Sequence, residues 1–281
     1  MLTTELARNA RISALTMCSQ SGASHIGAAL SVIDILSVLY GDVADVDPHR
    51  VDDPSRDIVL VSKGHSASGV YAVMAHAGYF PLTWLDDYYL DGSHLGGHVT
   101  AHGIPGVELS TGALGHALPF GVGRALADKL DGVDRRVFVV LSDGECAEGS
   151  NWEAALLAAH HRLGNVTVLV DRNQLQILGR TEDVLGLEPF ADKWRAFGWE
   201  VVEVDGHDHA ALADAARTRG PRPRVIIAHT TKGKGVDFME DKVEWHTLVP
   251  NAEHLALAVS QLQGFAQLET NTTLEKNDRE D

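Results

Sequence analysis

The sequence predicts an α/β fold, a three-layer parallel sheet with helices on both faces. Two observations carry this. Short apolar, β-rich runs alternate along the chain with segments patterned as helices, the order that builds parallel sheets through crossovers. One such unit is legible in detail. Arg135–Gly149 is an apolar run that breaks at Ser142-Asp143-Gly144, and Asn165–Gly179 is another that breaks at Asp171-Arg172-Asn173. Between them, Asn151–Gly164 reads as an amphipathic helix closed by a glycine. Strand, helix and strand of this length make a right-handed crossover, which puts both breaks at the carboxyl ends of neighbouring strands.

The other elements follow in chain order. Thr4–Ser19 and Ser31–Tyr40 are expected helices. Asp57–Ser62 (DIVLVS) is an expected strand that enters a Lys63-Gly64-His65 turn, and a helix from Ala67 to Gly78 follows. Trp84–Gly103 is rich in glycine and histidine and reads as loop. Leu114–Leu130 is expected to be a largely buried helix. After the crossover, Trp199–Val204 and Arg224–His229 are expected strands, with a helix Asp208–Thr218 between them. There is no internal repeat and no long linker. The expectation is one domain over 1–263, long enough for a substantial core, and a polar, disordered tail over 264–281. Nothing after Asn251 is expected to encode another α/β domain.

Composition excludes some function classes. The 281 residues carry 23 Lys and Arg against 39 Asp and Glu, a net charge of −16. An overall field of that sign disfavours nucleic acid and anionic membranes as partners. Two cysteines, Cys18 and Cys146, give no disulfide framework, so the expected location is the cytoplasm. The N-terminus lacks the apolar core of a signal peptide. No run is expected to reach the roughly 18 apolar residues of a membrane helix.

Chemistry concentrates at the crossover. Asp143 and Asn173 stand thirty positions apart, one at each strand end, where open α/β sheets bind ligands. A carboxylate and a side-chain amide there are hard oxygen donors suited to Mg²⁺ or Ca²⁺. The competing reading is an Asp-Gly turn and a helix cap. Among fifteen histidines, His25, His65 and His98 sit beside glycines in turns, off the helical core faces. An imidazole so placed can donate to phosphate or hydroxyl oxygens and move protons near neutral pH. His102 and His116 stay open between site and surface. Lys232 and Lys234 alternate with glycines and read first as a solvated loop, with ordering over a ligand as the alternative.

The segment from Ser142 to Gly179 resembles the thiamine-diphosphate motif, which runs from Gly-Asp-Gly to an Asn some thirty residues later. Ser21–Ser31 (SGASHIGAALS), Val61–Ser68 (VSKGHSAS), Gly96–Leu118 and Thr230–His246 then resemble the transketolase family in the same order. The likeness is collinear over roughly residues 5–262 and nearest to the separate N-terminal subunits of split transketolases. Full-length members run well over twice this length. The resemblance implies a diphosphate-binding domain for thiamine diphosphate with Mg²⁺ or Ca²⁺. It implies metal ligation by Asp143, Asn173 and the Leu175 carbonyl, and catalytic roles for His25, His65, His98 and His246. Cofactor contacts would come from His65, Gly112, Leu114, Gly144, Glu148, Asn173, Ile177 and His246. Among these, Leu114 and Ile177 would pack on the cofactor rings and Glu148 would sit near the subunit interface.

It further implies a separate C-terminal subunit that supplies an activating glutamate, a two-plus-two assembly with homodimeric contacts, and ketose and aldose substrates. The motif has departures: Ser142 replaces the usual first glycine, Gly115-His116-Ala117 replaces Gly-Gln-Gly, and Leu178 stands where Asp is common. The alternatives are a subunit that loads a two-carbon unit onto a carrier protein, the α subunit of a 2-oxo acid dehydrogenase, a scaffold that lost the cofactor, and a metal-dependent hydrolase.

Overall fold

The computed structural model describes the backbone of residues 1–277 and the side chains of residues 1–264. Of the tail expected to be disordered over 264–281, the backbone of 264–277 belongs to the last helix and 278–281 lie outside the described residues. Five parallel strands form the sheet in the order β1-β2-β3-β5-β4: β1 (Ile58–Val61), β2 (Val137–Ser142), β3 (Val166–Arg172), β4 (Glu200–Asp205) and β5 (Arg224–His229). The first three are buried along their whole length, as strands covered on both faces must be.

Alternate strand residues feed two cores. Phe138, Val140, Leu169 and Ile226 join a core with α1 (Thr3–Ser21), α2 (Ile26–Val38), α3 (Ala67–His76) and α8 (His209–Arg217). Val137, Val139, Val168 and Val225 join a second core with α4 (Ala117–Asp131), α5 (Gly149–His160) and α7 (Phe190–Ala196). The three-layer expectation therefore holds. A one-turn helix α6 (Thr181–Val184) and a last helix α9 (Ala252–Asn277) complete the chain.

Three expectations need correction. α2 starts five residues before the expected Ser31, at Ile26, because the Gly27 position packs directly on Trp245: a Cβ there would lie 3.0 Å from the Trp245 carbonyl oxygen. Its wide last turn, Leu39–Val43, then extends the helix to 18 residues of mean hydropathy 1.7. This is long and apolar enough to cross a membrane, contrary to expectation. It is nevertheless 83% buried between the sheet and its neighbouring helices, and its Ser31 and Asp34 hydrogen-bond inside the fold. α4 starts at Ala117 rather than Leu114 and is only half covered, with Phe120 and Leu130 exposed.

Candidate active site

β2 and β3 pair in register to Ser142↔Asp171, so Asp143 and Asn173 emerge side by side where the sheet ends. They line one cavity of about 220 Å³. His25, His65, His246, Gly112, Leu114, Gly144, Leu175 and Ile177 line the same cavity. His98 is exposed beside it, its ring 5.8 Å from His25. Glu148 lies outside the wall, exposed at the start of α5 with its Cβ close to Gly115. His102 and His116 are both exposed, and neither lines the cavity. A second cavity, about 270 Å³, lies between α1, α8 and the 234–240 loop. Its charged groups mostly pair with each other, Asp34 with Arg11, His207 and His209, so it offers no equivalent donor set.

Asp143 is buried, and burial first, then the Asp171 charge, raise its carboxyl above the ordinary range. Its Oδ2 accepts from the Gln174 amide at 2.6 Å and from Arg172 and Thr181 at 3.3 Å each. Its Oδ1 accepts only from the Gly144 amide at 2.7 Å and keeps a lone pair free. Asn173 donates its amide to Ser31 Oγ at 3.1 Å, which fixes which side-chain atom is the oxygen. That oxygen accepts only the Leu175 amide at 3.1 Å. The Leu175 carbonyl meets only Lys232 Nζ, at 3.4 Å. Among the described residues no three His, Cys, Asp or Glu side chains gather to hold a metal. One carboxylate, one amide oxygen and one carbonyl fit a hard cation whose shell is completed by ligand oxygens and water.

The histidine rings converge. His25 stands 5.5 Å from His65 and 5.2 Å from His246 between centroids, and His65 stands 5.7 Å from His246. His25 caps α2 in the left-handed region at φ 71°, a conformation costly for a side chain, and its amide donates to the His246 carbonyl at 3.0 Å. Burial and neighbouring positive groups hold His25 low, His65 well below its ordinary value, and His246 down to about 3. These three imidazoles are therefore neutral at physiological pH and can both donate and accept. His65 follows Gly64, whose backbone packs so tightly that a Cβ would lie 2.4 Å from the Thr111 carbonyl oxygen.

Sequence reasoning missed two lysines and a carboxylate. Lys63 is fully buried, pairs with the equally buried Asp171, and lines the cavity. Lys232 is 1% exposed, lines the cavity and donates to His246 Nδ1 at 2.8 Å, so the solvated-loop reading is corrected for it. Lys234 alone points outward, partly exposed, toward Glu240. A charged residue between glycines says nothing about which way it faces. Glu145, two positions after Asp143, is also fully buried and lines the cavity.

A parallel α/β domain with hard oxygen donors and cationic groups at the ends of adjacent strands defines a metal-and-phosphate-binding protein. The chain belongs to the family described as transketolase, thiamine diphosphate binding domain, whose model matches residues 2–272. It is 47% identical over 241 residues to an apulose-4-phosphate transketolase subunit from Actinobacillus succinogenes, covering 85% of this chain and 87% of that protein. It is 38% identical over 246 residues to the 6-deoxy-6-sulfo-D-fructose transketolase subunit SqwG of a Clostridium species, covering 86% and 89%. The transketolase structure from Leishmania mexicana matches with a TM-score of 0.87 at 28% identity, over 94% of this chain but 41% of that one.

Proposed function

We infer that this chain is the thiamine-diphosphate-binding subunit of a two-component transketolase, which moves a two-carbon ketol unit from a ketose donor to an aldehyde acceptor. The observation that carries this is the likeness to relatives that are themselves named transketolase subunits, the Actinobacillus protein at 47% identity and the Clostridium protein at 38%. The cavity supports it, because about 220 Å³ falls below the roughly 300–1,000 Å³ of complete small-molecule sites. Large apolar side chains are also exposed, Leu156 and Leu157 on α5 and Ile177, Leu178 and Leu185 beyond β3, and Ile177 lines the cavity. Such a concentration suits a protein interface. A separate C-terminal subunit covering it, in a closed two-plus-two assembly with homodimeric contacts, is the arrangement we favour. Two buried, unpaired thiols accord with the cytoplasm.

Asp143, Asn173 and the Leu175 carbonyl hold Mg²⁺ or Ca²⁺ in this reading. His65, His246, Gly144 and Lys232 face the diphosphate, Gly112, Leu114 and Ile177 the rings, and Glu148 the partner chain. When bound, the cofactor supplies the carbanion chemistry. His25 and His98, at the mouth, take and return protons at the sugar hydroxyls, with His65 and His246 behind them. The test is calorimetric titration of thiamine diphosphate and Mg²⁺ into the chain, alone and mixed with a C-terminal subunit, followed by a ketose screen. Affinity should rise sharply in the mixture. Ketol transfer at a normal rate by the isolated chain would overturn the two-component reading, and turnover of pyruvate but not ketoses would overturn the substrate class.

A further inference from the structure

We propose that Ser142 and Glu145 form a reciprocal clamp that positions the Asp143 turn and ties it to the loop before α4. The Ser142 amide donates to Glu145 Oε2 at 3.3 Å, and the Glu145 amide donates to Ser142 Oγ at 3.3 Å. This is the Ser-x-x-Glu capping arrangement, applied here to the turn Gly144–Ala147. Asp143 and Gly144 are the two residues it encloses. Glycine, the residue usual at 142 in the family pattern, has no Oγ and would leave the Glu145 amide without this acceptor. The clamp is thus built from a position where this chain departs from that pattern.

Glu145 extends the clamp across the cavity floor. Its Oε1 accepts from Ser62 Oγ at the end of β1 and from the Gly115 amide at 2.8 Å. The Gly115 carbonyl in turn accepts from Ser150 Oγ, on α5, at 2.6 Å. Both backbone polar groups of Gly115 are held by the segment that carries Asp143. Leu114 and the second departure, His116-Ala117, flank Gly115, so one buried carboxylate joins the metal-facing turn to the ring-facing loop. Glutamine cannot replace it: its amide presents one oxygen, so either the Ser142 or the Gly115 amide must face a donor.

The clamp acts on the bare chain, and only its effect on metal rests on the proposed function. Three variants of the full chain test both: Ser142→Ala, Glu145→Gln and the double. In the metal-free chain, hydrogen exchange should quicken about tenfold over 113–117, over 143–147 or over both in Glu145→Gln, and only over 143–147 in Ser142→Ala. With saturating thiamine diphosphate and the C-terminal partner present, either single change should raise the Kd for Mg²⁺ about tenfold, and the double no further. Unchanged exchange over both 113–117 and 143–147 in Glu145→Gln would overturn the clamp whether or not the parent binds cofactor. Independent, multiplying effects of the two changes on Kd would overturn the reciprocity. Failure of the parent to bind would count against the function alone.

Discussion

Replacing Asp171 by Asn should cost more stability than any other single isosteric change near the site. The Asp171 carboxylate is fully buried and meets four donors: Ser31 and Thr230 hydroxyls on Oδ1, Lys63 Nζ and the Asn173 amide on Oδ2. The hydroxyls can rotate to accept from the new amide. Lys63 cannot: it is equally buried, and its remaining partner is the Ala28 carbonyl at 3.2 Å. Leaving one member of such a pair charged and alone costs about 3–5 kcal/mol. That is a large share of the roughly 5–15 kcal/mol that holds a domain folded, and it corresponds to a melting shift of roughly 10 °C. Equilibrium urea unfolding followed by far-ultraviolet circular dichroism reads it. The double variant Lys63→Met, Asp171→Asn should recover much of the loss, since no charge is orphaned. A single variant within about 1 kcal/mol of the parent would refute the reasoning.

Lys232 gives a pH signature: burial, then the Lys63 charge, lowers it to about 8 from 10.5. The unfolded chain then holds more protons between those two values, so this group makes stability rise with pH across that window. Melting curves of Lys232→Met should lose the rise, and retention of it would point to another group. His25→Ala should spare cofactor binding yet lower the assembled enzyme's kcat by about 10²–10⁴, whereas lost cofactor affinity would assign His25 to the diphosphate instead. Asp143→Ala should abolish metal-dependent cofactor binding while the metal-free chain stays folded, because Arg172 keeps Glu182 and Glu188 as partners. Normal affinity in that variant would remove Asp143 from the site.

The strand–helix–strand unit was legible because its apolar runs and closing glycine are local patterns, and the sheet ends fell within a residue of the expected breaks at Ser142 and Asp171. Asp143 and Asn173 followed from that geometry alone. The roles given to the histidines needed the resemblance. Spacing places His25 and His246 in loops 221 positions apart and cannot bring their rings to 5.2 Å; the Gly27–Trp245 contact does that. Lys63, Lys232 and Asp171 were illegible for a related reason. Charged residues in glycine-rich or turn segments are exposed by default, and only the partner from a distant element makes their burial tolerable. The role of Ser142 was illegible because its bond to Glu145 depends on a tight turn after β2 that no periodicity reports.

The charge balance of the cavity explains why a metal is needed at all. Lys63 and Lys232 line it beside Asp143 and Glu145, and one more charge of each sign lies just behind, Arg172 paired with Asp143 and Asp171 paired with Lys63. The three half-buried histidines add none, since each is held below its ordinary value. The floor is therefore close to neutral in a chain of net charge −16, and it offers a diphosphate little net attraction. A divalent cation beside Asp143 changes the sign of the local field and meets a carboxylate oxygen that keeps a lone pair free. Thiamine diphosphate titrated into the assembly with chelator should bind at least about a hundredfold more weakly than with Mg²⁺, a loss of about 2.7 kcal/mol. Thiamine without its diphosphate should show no such dependence. Equal affinity with and without metal would mean that the lysines alone hold the diphosphate and that the balance drawn from these six residues is wrong.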